Sequence, residues 1–207
     1  MPDVVLPGGG WMRIFGVILA GGAARRMGGQ DKAMLRLGGQ SLLAHVQDRL
    51  SPQVDRLAIS ANGNAARFGV DVPVLADDSS QGPLSGILAA LNWAAPLGAT
   101  AVVSVAVDTP FLPADLVPQL CLAAERSAGG VAIAASGGVD HPTCALWPVG
   151  LRGDLHRFLA SGAKTRVMDF ARSHGAARAD FANDAAFANL NTPDDLAAAE
   201  AMMGGGP

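Results

Sequence analysis

Residues 16–32 read GVILAGGAARRMGGQDK, and this stretch decides the fold. Its first residues form a short apolar run, bounded by glycine and too short for a helix, which predicts a buried strand. The loop that follows contains four glycines together with Arg25, Arg26 and Lys32. Glycine N–H groups can surround an anion, and guanidinium groups can bind a phosphate through paired hydrogen bonds. The stretch therefore predicts a strand followed by a polyphosphate-binding loop, with a glycine-rich turn and solvated arginines as the alternative.

Composition and charge limit the class of protein. The chain has 207 residues, of which half are apolar and 16% are charged, and this excludes a disordered protein. The net charge of −3 argues against a nucleic-acid partner, because a protein that binds a phosphate backbone needs a basic surface. We expect one folded domain over residues 13–203, a flexible extension at 1–12 and a disordered tail at 204–207.

The cysteines and the N-terminus bear on the compartment. Cys121 and Cys144 lie in apolar sequence and are too few for a disulfide framework or a metal cluster. We expect both to be buried, reduced thiols, as is usual in the cytoplasm. The N-terminal residues lack the basic region of a secretory signal, and no apolar run reaches the length of a membrane span. The sequence thus predicts a cytoplasmic protein without a membrane partner.

Apolar runs typical of strands alternate with segments of helical spacing along most of the chain. After the first strand, further strands are predicted at 56–61, 72–75, 100–107, 131–134 and 144–147. Helices are predicted after Ser41, after Gly82, at 113–124, 150–160 and 165–173, and after Thr192. The alternation predicts an α/β fold, a doubly wound and mostly parallel sheet with helices on both faces, in a Rossmann-like arrangement.

Polar residues follow three of the predicted strands, namely Asn62, Asp77 and Asp108. The C-terminal ends of parallel strands form the ligand crevice of such sheets. Asp108 follows the most strand-like run, and a carboxylate beside a phosphate loop suits Mg²⁺, which takes one or two carboxylates together with substrate phosphates. Turn formation is the structural alternative, at Asn62 and again ahead of Pro110.

Residues 19–32, with the pattern Leu-Ala-Gly-Gly-x-x-Arg-Arg-Met-Gly-Gly-x-Asp-Lys, closely resemble the signature of the molybdenum cofactor guanylyltransferases, the MobA family. Three later stretches resemble further motifs of that family. They are Gly-Pro-Leu-Ser-Gly at 82–86, Asp-His-Pro-Thr at 140–143 and Asn-Leu-Asn-Thr-Pro-Asp-Asp-Leu at 189–196. The resemblance covers almost the whole chain, from residue 16 to residue 196.

The resemblance implies transfer of GMP from Mg-GTP to molybdopterin in a nucleotidyltransferase fold. The catalytic residues that it implies are Arg26, Lys32 and Asp108, with Asp108 as the Mg²⁺ ligand. The GTP-binding residues that it implies are Leu19, Ala20, Gly21, Gly22, Lys32, Asn62, Asp77 and Asp108, with Ser60 as an alternative to Asn62. The acceptor-binding residues are His141, Arg166, Asn189 and Asn191. Other molybdenum-cofactor biosynthesis proteins are candidate partners.

Physical chemistry refines two of these assignments. A phosphate nucleophile is already ionised at neutral pH, so His141 is not needed as a general base, and a structural or acceptor-binding role fits it better. Helix capping explains Thr192 to Asp195, with Thr192 as the N-cap and Pro193 at the first helical position. Capping does not explain Asn189 and Asn191, which the family places in its active-site cleft.

Two other functions remain open from the sequence. One is a sister enzyme, either a molybdopterin cytidylyltransferase or a sugar-phosphate nucleotidyltransferase. The other is a nucleotide-binding module without turnover, against which the presence of Lys32 and Asp108 argues. The pair Gly21-Gly22 favours guanine, because cytidylyl relatives typically have Ala-Gly there, and a missing Cβ lets the backbone approach a larger base.

Overall fold

The computed structural model describes residues 12–21, 31–76, 82–162 and 166–204. Its strands are β1 Ile14–Leu19, β2 Arg36–Leu37, β3 Gln40–Ser41, β4 Arg56–Ser60, β5 Val74–Leu75, β6 Ala101–Ala106, β7 Ala132–Ser136, β8 Val139–Pro148 and β9 Ala177–Phe181. Its helices are α1 Leu42–Leu50, α2 Pro83–Ala94, α3 Leu116–Ala124, α4 Arg152–Ala160, α5 Val167–Ser173 and α6 Pro193–Gly204. Short 3₁₀ helices, among them Lys32–Met34 and Ala65–Phe68, connect several of these elements.

Seven of the strands form one sheet in the order β5-β4-β1-β6-β8-β7-β9. The pairs β5–β4, β4–β1, β1–β6 and β7–β9 are parallel, whereas β8 runs antiparallel to both β6 and β7. β2 and β3 form a separate hairpin. The doubly wound, mostly parallel sheet predicted from the sequence is confirmed, with one antiparallel strand inserted.

The direction in which strands are added to the sheet reverses at β1. After β1 the chain moves outward to β4 and β5, and it then returns through α2 to form β6 on the other side of β1. Such a reversal leaves a crevice beyond the C-terminal ends of the two strands that flank it. Leu19 at the end of β1 is paired in register with Ala106 at the end of β6. The crevice therefore opens between the loops that follow these two strands.

Helices cover both faces of the sheet, and neighbouring residues of β1 face opposite layers. Ile18 packs in a cluster with residues of α1 and α3, whereas Val17 packs with residues of α2, α4 and α5. Every residue of β1 is buried. A strand covered on both faces is apolar throughout rather than alternating. This is why the first strand is visible in the sequence as a continuous apolar run.

All six helices lie where they are predicted, but α4 and α5 begin two residues later than predicted, at Arg152 and Val167, and α3 begins three residues later. Ser41 caps α1 as predicted, since its side-chain oxygen accepts a hydrogen bond from Ala44 N at 3.1 Å. α3 begins at Leu116 rather than at 113. The reason is a preceding turn, in which Leu116 N donates to Pro113 O at 3.2 Å.

The second half of the sheet departs most from the prediction. Gly137 and Gly138 have φ values of 53° and 82° and close a tight turn between β7 and β8, a conformation that favours glycine. β8 spans 10 residues, so the Asp-His-Pro-Thr stretch lies within a strand. β9 is an element that the sequence does not predict, because its alanines and charged residues have low β-propensity.

Cys121 and Cys144 are buried free thiols. Burial raises the pKa of Cys121 to about 11 and that of Cys144 to about 12, so both thiols stay protonated at neutral pH. The prediction of unreactive core cysteines is confirmed. No helix in the described part of the chain is long and apolar enough to cross a bilayer.

A buried polar link joins β8 to β6, and it provides a test of the core. Trp147 Nε1 donates to Ser104 Oγ at 2.9 Å, and this hydroxyl donates to Thr143 O at 2.8 Å.

Ser104→Ala should lower the free energy of unfolding by about 1–3 kcal/mol, because a buried indole N–H then loses its acceptor. Urea denaturation measures the change. The control Ser161→Ala, at an exposed site, should change the same free energy by less than about 0.5 kcal/mol. Equal changes in the two variants would contradict this account of the core.

Candidate functional site

Lys32 joins three segments that are far apart in the sequence. Its Nζ donates to Asp108 Oδ2 at 2.7 Å and to Asn191 Oδ1 at 2.7 Å. These partners lie 76 and 159 residues further along the chain. The side chains of Lys32 and Asp108 are 21% and 20% exposed, so the ion pair is largely buried but remains accessible from the crevice. We call Lys32, Asp108 and Asn191 the lysine junction.

The two carboxylate oxygens of Asp108 have different surroundings. Oδ2 accepts the hydrogen bond from Lys32, whereas Oδ1 is buried and has no hydrogen-bond partner among the described residues. Leaving a buried carboxylate oxygen without a partner is costly, and Mg²⁺ prefers such oxygens as ligands. Within the described ranges, no group of three or more His, Cys, Asp or Glu could hold a metal ion. Asp108 therefore fits a cation whose other ligands come from a substrate.

Backbone hydrogen bonds hold the ends of β1, β4 and β6 together at the crevice. Val107 N donates to Leu19 O at 3.1 Å, and Ala20 N donates to Ser60 O at 2.9 Å. Gly21 follows and is exposed. The predicted nucleotide-binding residues Leu19, Ala20 and Gly21 thus lie at the crevice, and backbone hydrogen bonds to neighbouring strands fix the first two.

Ser60 and Asn62, the two candidates at the end of β4, differ in exposure. Ser60 is 3% exposed and packs against Gly86 of α2, where an added Cβ would lie 2.6 Å from Ser60 Oγ. Asn62 lies just beyond the strand and is exposed. Of the two, Asn62 is the one whose side chain reaches the surface.

The segment that carries Asn189 and Asn191 is attached to the end of β6. Leu190 N donates to Asp108 O at 2.9 Å, and Thr109 Oγ1 donates to Asn189 Oδ1 at 3.0 Å. Leu190 is itself buried beside Leu37 and Leu42, which anchors the segment in a small apolar cluster. The two asparagines predicted to bind the acceptor are therefore brought to the Asp108 side of the crevice.

A capping box fixes the backbone of Asn191 where α6 begins. Asp195 N donates to Thr192 Oγ1 at 3.1 Å, and the N–H groups of Asn191 and Thr192 each donate to Asp195 Oδ2 at 2.8 Å. The Asn191 N–H, ahead of the Thr192 hydroxyl, lowers the pKa of the Asp195 carboxyl. The predicted cap is confirmed. It leaves the Asn191 side chain to accept from Lys32.

His141 is connected to the same segment by its ring. Its Nε2 lies 2.8 Å from Ser136 Oγ, and its ring stacks on Phe187 with 4.5 Å between the centroids and 9° between the planes. Burial lowers the pKa of His141 below its usual 6.5, against the opposing effect of Asp140 and Asp184. The imidazole is therefore neutral at pH 7 and supports Phe187, which precedes the asparagine segment.

The other predicted site residues are not joined to the lysine junction. Arg166 is the exposed N-cap residue of α5, and no hydrogen bond or ion pair in the described part of the chain connects it to Lys32, Asp108 or Asn191. Gly22, Arg26 and Asp77 lie outside the described residues.

Three residues of the site were not foreseen from the sequence. Thr109 bonds to Asn189 and Ser136 bonds to His141. Ser136 is the last residue of β7 and Thr109 lies three residues after β6, both at the crevice edge of the sheet. Their position beside such an edge is the signal that could have found them. Phe187 offers no such signal, because a single apolar residue in a loop does not show which ring it will contact.

The chain is similar to known proteins over most of its length. The family model of the MobA-like NTP transferase domain matches residues 16–177. A molybdenum cofactor guanylyltransferase of Cereibacter sphaeroides is 58% identical over 193 residues, covering 93% of this chain and 98% of that protein. A molybdenum cofactor guanylyltransferase of Mesorhizobium japonicum is 47% identical over 199 residues, covering 92% of this chain and 96% of that protein. Molybdopterin-guanine dinucleotide biosynthesis protein A of Archaeoglobus fulgidus has a similar fold, with a TM-score of 0.74, 22% identity and coverage of 92% and 98%.

Because His141 is neutral in the folded protein, we expect the fold to lose stability at acidic pH. Since the folded state holds the pKa of His141 below its unfolded value, the unfolded state binds the proton first as pH falls. The stability that neutral His141 provides is present above about pH 6.5 and is lost below it. His141→Gln should therefore show a smaller drop in melting temperature between about pH 7.5 and about pH 5.5 than the parent chain. An identical drop in both proteins would show that the stack does not exclude the charged ring.

Proposed function

The chain belongs to the molybdenum cofactor guanylyltransferases, and we propose that it transfers GMP from Mg-GTP to molybdopterin. The products are the guanine dinucleotide form of molybdopterin and pyrophosphate. The lysine junction carries the proposal, because it brings an ammonium group and a carboxylate with one unpartnered oxygen to the crevice between β1 and β6. A cation and a metal-binding carboxylate are what a nucleoside triphosphate requires at such a site.

In the proposed reaction, an oxygen of the acceptor's terminal phosphate attacks the α-phosphorus of GTP in line. The bond between the α-phosphorus and the bridging oxygen to the β-phosphate breaks, and pyrophosphate leaves with that oxygen and its electron pair. No proton has to be removed from the attacking phosphate, because it is ionised at neutral pH. Catalysis then depends on alignment and on stabilising negative charge.

Lys32 is proposed to stabilise the charge that develops on the leaving pyrophosphate. Two acceptors already orient its ammonium group, so little reorganisation is needed when the substrate arrives. Arg26 belongs to the glycine-rich loop that precedes Lys32, and we propose it as a second cation for the same phosphates. Its guanidinium can bind two phosphate oxygens at once.

Asp108 would hold the Mg²⁺ ion through its unpartnered Oδ1, while Lys32 occupies Oδ2. When bound, Mg²⁺ neutralises part of the triphosphate charge and fixes the conformation of the phosphates. The protein supplies one carboxylate and leaves the remaining positions to phosphate oxygens and water, which is the usual arrangement for this ion.

The guanosine part is proposed to bind on the β1 and β4 side of the crevice. The backbone of Leu19, Ala20, Gly21 and Gly22 would contact it, together with the side chains of Asn62 and Asp77. The exposure of Asn62 and the burial of Ser60 support Asn62 as the residue that makes the polar contact. Asp77 is included because of the family resemblance alone.

The acceptor is proposed to bind on the opposite side, near Asn189 and Asn191. Both side chains are exposed, and both have an oxygen that accepts a hydrogen bond from the protein, so each amide N–H₂ can donate to an incoming phosphate or pterin group. His141 would support this segment through Phe187. Arg166 would contribute charge from the start of α5.

The cellular setting is a further part of the proposal. A cytoplasmic location is consistent with two buried thiols that remain unpaired. Other molybdenum-cofactor biosynthesis proteins are proposed as partners, since a cofactor precursor has to be delivered and its product collected. Nucleic acid and membrane lipid are not required by this chemistry.

Pyrophosphate release tests the function. Purified protein should release pyrophosphate from GTP only when Mg²⁺ and molybdopterin are both present. GTP should exceed CTP and ATP by at least about 30-fold in kcat/KM, because a wrong base leaves two or more polar groups unpaired at about 1–3 kcal/mol each. Comparable rates with CTP would favour a cytidylyltransferase. Nucleotide binding without pyrophosphate release would favour a binding module.

Asp108→Asn tests the metal site. The amide keeps the shape of the side chain and an oxygen for Lys32, but it removes the negative charge, so turnover should fall by roughly 10²-fold or more at Mg²⁺ concentrations that saturate the parent protein. The melting temperature should change little. Asp48→Asn, at an exposed position on α1, is the control and should keep full activity. Near-native turnover of Asp108→Asn would contradict the metal assignment.

A further inference from the structure

We propose that Arg67 is a positioning residue for Lys32, and that it acts through Asp31. This inference rests on the proposed function of Lys32, although one of its tests needs no substrate. Arg67 lies in the 3₁₀ helix Ala65–Phe68, in the loop after β4, whereas Lys32 begins the 3₁₀ helix Lys32–Met34. Arg67 and Asp31, the residue before Lys32, are 36 positions apart in the sequence, and an ion pair connects them.

The Arg67 guanidinium is fixed by three contacts. Its Nε donates to Asp31 Oδ2 at 2.6 Å, and its Nη1 donates to Asn64 O at 2.9 Å. Its Cζ lies 4.1 Å from the centroid of the Phe68 ring, and Phe68 is buried in the core. A guanidinium held by its own loop and by a core ring is an anchored donor, unlike a surface arginine that samples many conformations.

Asp31 transmits this anchoring to the segment that contains Lys32. Its second oxygen, Oδ1, accepts from Ala33 N at 3.1 Å and so caps the short helix. Its backbone oxygen accepts from Met34 N at 2.9 Å. The carboxylate therefore has one oxygen on the Lys32 helix and the other on Arg67. Removing Arg67 leaves the cap in place but frees that helix from the loop after β4.

The ion pair between Arg67 and Asp31 limits the positions that the Lys32 ammonium group can take. At its far end, Lys32 is held by Asp108 and Asn191, and its backbone belongs to the short helix that Asp31 caps. Two fixed ends define the position of a flexible side chain better than one. The same ion pair also ties Lys32 to the loop that begins with Asn62, so the proposed phosphate and base contacts keep a constant separation.

A double-mutant cycle with Lys32 distinguishes positioning from a general structural effect. Arg67→Ala and Asp31→Asn should each lower kcat roughly fivefold with GTP, the equivalent of about 1 kcal/mol for one partly buried ion pair. Asparagine still caps a helix, so Asp31→Asn removes the ion pair but keeps the cap. In a Lys32→Ala background, Arg67→Ala should lower the remaining rate by less than about twofold, because residues that act through one another are not additive.

Arg157→Ala removes an arginine–aspartate pair on α4 and should leave kcat unchanged. Arg67→Lys keeps the charge but cannot make both hydrogen bonds, so it should recover part of the loss. If Arg67→Ala lowers kcat equally with and without Lys32, Arg67 does not act through Lys32 and the proposal is wrong.

A second test uses no nucleotide. The chain has two lysines, Lys32 and Lys164, so acetylation by an amine-reactive reagent can be followed at each by peptide mass, with Lys164 as the internal reference. Arg67→Ala and Asp31→Asn should raise the labelling rate of Lys32 roughly fivefold relative to Lys164, because the ammonium then leaves its acceptors more often. Arg157→Ala should leave it unchanged. An unchanged rate in Arg67→Ala overturns the proposal even if the protein transfers GMP, and a raised rate supports it even if the protein does not.

Discussion

The double hydrogen bond of Lys32 is the interaction on which the candidate site depends. One ammonium group connects the residue after the glycine-rich loop, the tip of β6 and the residue before α6. The parallel arrangement of β1 and β6 makes this possible, since it puts both strand ends at one edge of the sheet. Asp108 compensates the lysine charge with one oxygen and keeps the other for a cation. The fold thus places one lysine charge and one carboxylate oxygen suited to a cation at the same point of the crevice.

The surroundings of the junction restrict its geometry from several directions. The backbone of Asn191 is fixed by the capping box with Asp195, and the preceding segment is attached to Asp108 and Thr109. Farther along the same edge, the neutral ring of His141 supports Phe187. Most of these contacts involve the backbone or neutral groups. The few charges of the site are therefore concentrated where the phosphates of the substrate are proposed to lie.

The sequence was most informative where one residue type has a single physical use. A continuous apolar run predicts β1, a polar residue after a buried strand predicts Asp108 at the crevice, and Thr-Pro-Asp-Asp predicts the cap of α6. It was least informative where the outcome depends on tertiary contacts. β9 has no β-branched residue, and only its parallel pairing with β7 makes it a strand. The stack of His141 on Phe187 and the pairing of Arg67 with Asp31 each join residues more than thirty positions apart, so no local sequence pattern predicts them.

The most direct test of the account follows the phosphorus atoms of GTP. GTP labelled at the α-phosphorus is incubated with the protein, Mg²⁺ and molybdopterin, and the labelled products are separated and counted. We expect the α-label on the pterin in an amount equal to the pyrophosphate released, with no labelled GMP set free. Label found mainly as free GMP or GDP would identify a hydrolase, and it would contradict the claim that the crevice aligns an acceptor phosphate with the α-phosphorus.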